Sequence, residues 1–502
     1  MRHAKLSEDL YAAADVRAID QAAIHEFGMP GIDLMERAGA GAFAALRQRW
    51  PEARTLSAVC GGGNNAGDGY VVARLAHEQG FDVRVFPLSP PASLKGDAQL
   101  AWERFRDAGG AALDFIPEDF EATEILVDAL FGTGLDREVN GAAAEVIRAV
   151  NRYRDRGRTH RPNRRAVVAL DIASGLHADS GACLGAAIRA DLTVTFVALK
   201  RGLFTGDGPE QSGEVILDDL GIPPRARQAA KPSARLWTAP EPALPRRTRS
   251  AHKGLYGHVL VVGGDHGYSG AARLAGEAAA RVGAGLVSVA TRPEHAPLLN
   301  LTRPELMCRG VEHPFDLEPL LEQASVVAIG PGLGRSDWAR AFWAQVIDTD
   351  LPLVVDADAL NLLAETPIRR GDWVLTPHPG EAARLLGVTN AAVQRDRFAA
   401  AQALQSRYGG VAVLKGAGTL VQTEGDRPTI CTAGNPGMAS GGMGDVLTGV
   451  IAGLIAQKME LSHAARLGVW LHAAAGDGAA RDGERGLLAS DLMPHLRALA
   501  NG

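Results

Sequence analysis

The chain has 502 residues, 46% of them hydrophobic, a formal net charge of -6 and a mean hydropathy of -0.03. This describes an ordinary globular chain with room for two large domains or three smaller ones, and the charge balance argues against nucleic acid or a membrane as partner. Cys60, Cys183, Cys308 and Cys431 lie far apart and form no CxxC pair; with no apolar run near the ~18 residues of a membrane span and no signal-like start, a reducing cytoplasm is expected.

A first helix is predicted over 9–27, with Val16, Ile19, Ala23, Ile24 and Phe27 on one stripe, stopped by Gly28-Met29-Pro30-Gly31. A second follows from about Ile32 to Trp50. The run Thr55–Cys60 reads as a buried strand that enters Gly61-Gly62-Gly63-Asn64-Asn65-Ala66-Gly67-Asp68-Gly69-Tyr70, with a helix from Val71. Strand, glycine turn and helix is a setting that holds phosphorylated ligands, although the spacing is not GxGxxG. A plain Gly/Asn turn is the alternative. Further strands are expected at Asp82–Phe86, Glu124–Leu130, Ala166–Asp171, Leu192–Val197 and Glu214–Leu217. In an open α/β sheet their C-terminal ends share one edge, where ligands bind. On that edge Asn65, Asp128 and Ser174 offer only oxygen donors, which suits a hard cation, a monovalent one being compatible with the single carboxylate. Asp171 is a candidate acid or base beside them. Helix capping is the alternative for each residue alone.

Val16-Arg17, Asp20, Gly28–Gly31, Leu34–Gly39, Gly61–Asp68, Asp128–Gly134 and Asp171–Gly175 together resemble the NAD(P)H-hydrate epimerase family over nearly the whole first half. The resemblance implies a Rossmann-like domain that interconverts the R and S hydrates of NADH and NADPH with the help of K+. It implies that Asn64, Asn65, Ala66, Gly67, Asp68, Gly132, Thr133, Gly134, Leu135, Asp136, Arg137, Glu138 and Asp171 line the hydrate. By the same resemblance Asp171 is catalytic, and Asn65, Asp128 and Ser174 hold potassium.

From Pro223 to Pro245 there are six prolines, several arginines and little periodicity. The expected organisation is therefore a domain over 1–222, a semi-rigid linker over 223–245 and a domain over 246–502. The second domain repeats the β/α alternation, with strands at His258–Val262, Leu286–Ala290, Ser325–Ile329, Leu351–Val355, Trp373–Thr376 and Val411–Leu414. The turns after them include Gly263–Ala272, Gly330–Gly334, Asp356–Asn361, Pro377–Glu381 and Lys415–Thr419. Asp356 and Asp358 read as helix caps, with indirect contact to hydrated Mg2+ as the alternative. His378 sits in a rigid Pro-flanked turn, where a structural and a binding role balance.

The stretch Gly434–Gly449 is a glycine-rich loop running into an apolar helix. Amides near Gly442, Met443 and Gly444 should open a helix N-terminus, which attracts phosphate. Asp445 is ill placed for simple anion binding but well placed to take a proton from a hydroxyl beside the phosphate. A glycine turn with an Asp cap is the alternative. This loop is similar to the anion hole and base of the ribokinase-like superfamily. With His252–Gly254, Gly264–Gly267, Gly330–Gly334, Thr376–Glu381 and Lys415–Thr419, it resembles the NAD(P)H-hydrate dehydratase family. That resemblance implies that Ala271, Gly332, His378 and Asp445 contact the hydrate. It assigns Lys415, Gly416, Ala417, Gly418, Thr419 and Gly444 to the nucleotide, with Asp445 catalytic.

The fold expected is α/β: two doubly wound three-layer α/β/α domains, Rossmann-like at the N-terminus and ribokinase-like at the C-terminus. The function expected is repair of hydrated NADH and NADPH: epimerisation, then dehydration of the S hydrate with ADP and Mg2+, giving AMP and phosphate. A homo-oligomer is expected. The rivals are an ATP-dependent kinase of a vitamin-precursor alcohol and a non-enzymatic nucleotide sensor, the latter disfavoured by Asp171 and Asp445.

Overall fold

Short runs of Val, Ile, Leu and Ala bounded by glycine turns become strands buried on both faces, as parallel sheets require. The computed structural model describes residues 8–116, 120, 122–160, 165–237, 244–301 and 303–501. The chain divides into two units, Met1–Arg235 and Leu236–Gly502.

In the first unit the strands are β1 (Asp9–Leu10), β2 (Thr55–Cys60), β3 (Asp82–Pro87), β4 (Ile125–Ala129), β5 (Ala166–Leu170), β6 (Leu192–Phe196) and β7 (Glu214–Asp218). β8 (Ala234–Trp237) begins at its end. The order β3-β2-β4-β5-β6-β7 is parallel throughout. The chain winds from β2 outward to β3, then restarts on the other side at β4. That reversal opens a crevice between the ends of β2 and β4, where doubly wound sheets bind ligands.

The helix expected from Val71 instead spans Asn64–Glu78, starting directly after Gly63. The glycines within it answer to packing rather than to a loop. A Cβ on Gly67 would stand 2.4 Å from Met35 Sδ, and one on Gly69 would stand 2.6 Å from Ala129 Cβ. The helix tolerates glycine, at about 1 kcal/mol each, because it lies tightly on its neighbours.

The second unit holds β9 (His258–Val262), β10 (Leu286–Thr291), β11 (Met307–Gly310), β12 (Val326–Ile329), β13 (Leu353–Val355), β14 (Trp373–Leu375), β15 (Val411–Leu414), β16 (Thr419–Gln422) and β17 (Thr429–Cys431). Its strands run in the order β17-β16-β15-β14-β13-β12-β9-β10-β11. They are parallel from β11 to β15, and β16 and β17 add antiparallel. Here the reversal lies between β9 and β12. The Lys415–Thr419 turn closes the β15–β16 hairpin.

Helix Met443–Ala456 is apolar on every side, and Val446, Val450, Ile451 and Leu454 are fully buried. A helix of that composition belongs inside the protein. Gly449 and Gly453 let it lie against helix Ser269–Arg281: a Cβ on Gly449 would be 2.0 Å from the Ala275 carbonyl oxygen.

The first part of the stretch expected as linker is folded. It has a 3-10 turn at Ala226–Ala229, and β8 pairs antiparallel with β1 in the register Asp9↔Arg235, Leu10↔Ala234. Residues 238–243, including Pro240-Glu241-Pro242, lie outside the described residues.

Two candidate active sites

A cleft of about 710 Å3 opens at the β2/β4 reversal of the first unit. Asn64, Asn65, Asp68, Gly132, Thr133, Gly134, Leu135, Asp136, Arg137 and Asp171 line it. Ala66 and Gly67 are buried inside the first helical turn, and Glu138 is exposed away from the cleft. Arg17, Asp20, Met35 and Asp97 also line it; the sequence reading named Arg17, Asp20 and Met35 only as motif residues.

Asp171 has φ 66°, a left-handed conformation that costs a non-glycine residue about 1–2 kcal/mol. Val197 and Leu220, at φ 69° and 55°, line the same cleft. Backbone strain thus gathers at this site, as it does at functional sites generally. The carboxylate of Asp171 accepts a hydrogen bond from Lys200 Nζ. Lys200, fully buried, also donates to Thr195 Oγ1 at 2.9 Å and to the Phe196 carbonyl at 2.7 Å. All three ammonium donors are thereby used. No motif pointed to Lys200; only the fold brings it under Asp171. Burial, then the charges of Asp171 and Asp20, push the Asp68 carboxyl well above the usual range. Burial, followed by Asp171, also raises Asp20.

Asp128 and Ser174 lie beneath the cleft, both fully buried. Ser174 Oγ donates to Asp128 Oδ1 at 2.6 Å, and Ser174 N to Asp128 Oδ2 at 2.8 Å. Burial raises Asp128 to about 6, against the lowering effect of these bonds. Asn65 Nδ2 donates to the Phe131 carbonyl at 3.0 Å, and the buried Asn65 Oδ1 has no hydrogen-bond partner among the described residues. An orphaned amide oxygen beside a buried carboxylate, a hydroxyl and a carbonyl is a donor set suited to a monovalent cation. Among the described residues no group of three His, Cys, Asp or Glu could hold a metal.

In the second unit the site forms where the N-terminus of helix Met443–Ala456 meets the turns after β13, β14 and β15. Gly442 caps the helix with φ 90°, and Asp445 lies in its first turn. Lys415 Nζ is 2.7 Å from Asp356 Oδ1 and 3.9 Å from Glu381 Oε2. Asp356 Oδ2 accepts from Thr448 Oγ1 at 2.9 Å. Asp356 stands at a helix N-cap position, yet its side chain makes no capping bond; that preference is corrected, because the buried carboxylate is committed to Lys415. Burial alone would raise Asp356, but Lys415 holds it below the ordinary value. Burial alone would lower Lys415, but Asp356 and Glu381 hold it above. Gly444 covers this pair: a Cβ there would stand 3.1 Å from Lys415 Nζ. Burial, then the nearby Asp356, pushes the Asp445 carboxyl up to about 7.

His378 caps helix Pro379–Leu386 through Nδ1, which accepts from Gly380 N at 3.0 Å and Glu381 N at 3.4 Å. Accepting there requires Nδ1 to be unprotonated, so Nε2 carries the hydrogen, 3.4 Å from Glu381 Oε1. Burial and then Lys415 lower its pKa, which favours the neutral ring. The histidine is therefore structural and solvent-facing at once. Ala271 and Gly332 meet across the site: a Cβ on Gly332, at φ 58°, would lie 3.2 Å from Ala271 Cβ. Asp358 Oδ2 accepts from Gly334 N at 2.9 Å. Gly416, Ala417 and Gly418 form the hairpin turn between Lys415 and Thr419.

Two supports had no motif. Buried Arg397 donates to the carbonyls of Leu414 and Lys415, both at 3.2 Å, fixing the Lys415 turn. Asp477 receives Gly434 N and Asn435 Nδ2, each at 2.9 Å, and pins the glycine-rich loop.

Comparisons with known proteins agree with this division. Residues 259–497 match the family described as NAD(P)H-hydrate dehydratase, and residues 31–202 match the family described as YjeF-related protein N-terminus. The bifunctional NAD(P)H-hydrate repair enzyme of Coxiella burnetii is 51% identical, covering 98% of this chain and 99% of its own. That of Escherichia coli is 44% identical over 98% of this chain and 94% of its own. Among solved structures, the ADP/ATP-dependent NAD(P)H-hydrate dehydratase from Bacillus subtilis, co-crystallised with ATP/Mg2+, is 31% identical. It covers 51% of this chain and 93% of its own at a TM-score of 0.46.

Proposed function

We propose how two sites divide one repair task, from the premise that the chain belongs to the bifunctional NAD(P)H-hydrate repair enzymes. Its first half is an NAD(P)H-hydrate epimerase domain and its second an NAD(P)H-hydrate dehydratase domain. The finer assignments are our reading. The domain limits are 1–222 and 246–502; of the stretch 223–245 between them, residues up to 235 fold with the first unit.

In the first site Asp171 is the acid–base residue that interconverts the R and S hydrates, and Lys200 orients its carboxylate. Asn64, Asn65, Asp68 and the turn from Gly132 to Arg137 surround the hydrate, with Ala66 and Gly67 backing them from inside the helix start and Glu138 at the outer end of the turn. Asn65, Asp128 and Ser174, with the Phe131 carbonyl, would hold K+; the orphaned Asn65 Oδ1 supports this. A monovalent cation there would supply positive charge between the start of helix Asn64–Glu78, which carries Asn65, and the turn after β5, which carries Ser174.

In the second site the ring hydroxyl of the S hydrate attacks a nucleotide phosphoryl group, and Asp445 takes its proton. Phosphate then leaves with the C–O electron pair, a ring proton is lost, and the double bond returns. Positioning and charge stabilisation carry such a transfer. The Lys415–Thr419 turn and Gly444 hold the phosphates, while Ala271, Gly332 and His378 contact the hydrate. ADP is the co-substrate, leaving AMP and phosphate. Mg2+ would arrive on the phosphates and keep its waters, since Asp356 is committed to Lys415 and Thr448.

The observation that carries this reading is Asp445, held near 7 at a helix N-terminus above Lys415. A base matched to neutral pH is what proton abstraction needs, whereas a plain phosphate cradle gains nothing from a carboxylate there. The test supplies mixed NADH hydrates with ADP or ATP and follows the absorbance of reduced nicotinamide. An intact protein that phosphorylates a vitamin alcohol and never restores NADH would overturn the reading. A cytoplasmic homo-oligomer completes it. Four free cysteines support the compartment, and no helix of the described residues is long and apolar enough to cross a membrane. Light scattering on the purified chain tests the assembly.

A further inference from the structure

A cavity of about 670 Å3 in the Leu236–Gly502 unit lies away from the dehydratase chemistry. It is lined by the C-terminal ends of helices Ser269–Arg281, Met443–Ala456 and Leu492–Leu499, and by segments 244–247 and 303–306. Gln457 lines it at the far end of the helix that begins beside Asp445. At 1.5 Å rise per residue that separation is roughly 18 Å.

The charges facing this space are unbalanced. Arg246, Arg247, Arg281, Arg303 and Arg497 contribute five guanidinium groups against the carboxylates of Glu277 and Glu305, an excess of three positive charges. Buried Glu277 is engaged by Arg303 at 2.6 Å and Arg281 at 3.3 Å. Arg247 is tied to the Gly283 carbonyl and lies over the Tyr256 ring, 3.7 Å from its centroid. Arg246 and Arg497 make no ion pair among the described residues.

Helix C-termini attract basic side chains, which accounts for Arg281 and Arg497. It does not account for Arg246, Arg247 and Arg303, which come from outside those helices and face the same space. Guanidinium forks match phosphate oxygens in pairs, and the volume falls within the range of small-ligand pockets. We propose that this cavity is a second binding site, for a polyphosphorylated small molecule, with Arg246 and Arg497 as its free phosphate-binding groups.

The experiment is calorimetric titration of the full chain with inorganic tripolyphosphate. The wild type should show binding that the double variant Arg246→Ala/Arg497→Ala loses or weakens at least about tenfold, the scale of a lost charge-assisted hydrogen bond. The charge-keeping variant Arg246→Lys/Arg497→Lys should retain most of it. Dehydration of the hydrate with ADP, measured without tripolyphosphate, should match the wild type in both. Indistinguishable isotherms for wild type and the alanine variant would overturn the proposal. So would binding abolished by Lys415→Met alone, which would assign all of it to the nucleotide turn. A changed oligomeric state of the alanine variant with an unchanged isotherm would also overturn it, identifying the arginines as a contact between copies.

Discussion

Asp445 and Asp171 are both carboxylates on chain turns, but their neighbours differ in sign. Asp171 has an ammonium group against it; Asp445 has other carboxylates, foremost Asp356, as well as Lys415. Asp445→Asn keeps the size and loses the basic oxygen. Nucleotide binding by calorimetry should stay within a few-fold, while restoration of NADH falls by at least about a hundredfold and epimerisation is unchanged. Loss of binding together with turnover would make Asp445 structural. Its pKa sets a pH signature as well. Dehydratase kcat/KM should rise with pH and level off above about 7, as the base ionises. The folded value lies above the ordinary 3.8, so the carboxyl is best tolerated while protonated. Wild type and Asp445→Asn should be equally stable below pH ~4. The wild type should fall behind as pH rises, by up to about 4 kcal/mol above pH ~7, in urea titrations across that range. In the other site, Asp171→Ala should slow hydrate interconversion by about 10²–10⁴-fold; full activity in that variant would remove its role.

Helix Met443–Ala456 must be both an anion-facing terminus and a core element, and its sequence reflects both duties. Its first turn brings half-buried Gly444 and Asp445 to the site, and every residue from Val446 to Ala456 is buried. Gly449 is the contact that sets its distance from helix Ser269–Arg281. Gly449→Val drives a side chain into the Ala275 backbone, 2.0 Å from where its Cβ would begin. Overpacking of that kind costs about 1–3 kcal/mol, and backbone contact gives no flexible atom to yield. A lowered midpoint in thermal or urea melts, with weaker nucleotide binding as the helix start shifts, is the expected result; an unchanged midpoint would mean the helices separate freely. Helix Asn64–Glu78 shows the same economy, its glycines serving contact with Met35 and Ala129 while its first residues face the cleft.

Each unit winds its own sheet around its own core. Fragments 1–222 and 240–502 should therefore each fold when expressed alone, as separate cooperative melts would show. Insolubility of both would place the boundary elsewhere. The ladder between β1 and β8 refines this: a fragment ending at 235 keeps Leu10↔Ala234 and Asp9↔Arg235, and should melt above the one ending at 222.

Much of this molecule was legible in order of residues alone. The strand runs and the places of Asn65, Asp128, Asp171, Lys415 and Asp445 at strand ends and helix starts are local signals, because strand ends, glycine turns and helix starts are decided within a few neighbouring residues. β11, β16 and β17 were not foreseen, being short segments whose pairing depends on a strand elsewhere. The helical glycines near Asn64 read as loop because their reason, Met35 and Ala129, is distant in the chain. Lys200, Arg397 and Asp477 carried no motif, for a buried charge is explained only by the partner the fold delivers. The chemistry of Asp445 follows the same division. Its place at a helix start came from composition, but its pKa near 7 came from burial and from Asp356, a residue 89 positions away whose carboxylate only tertiary packing brings near.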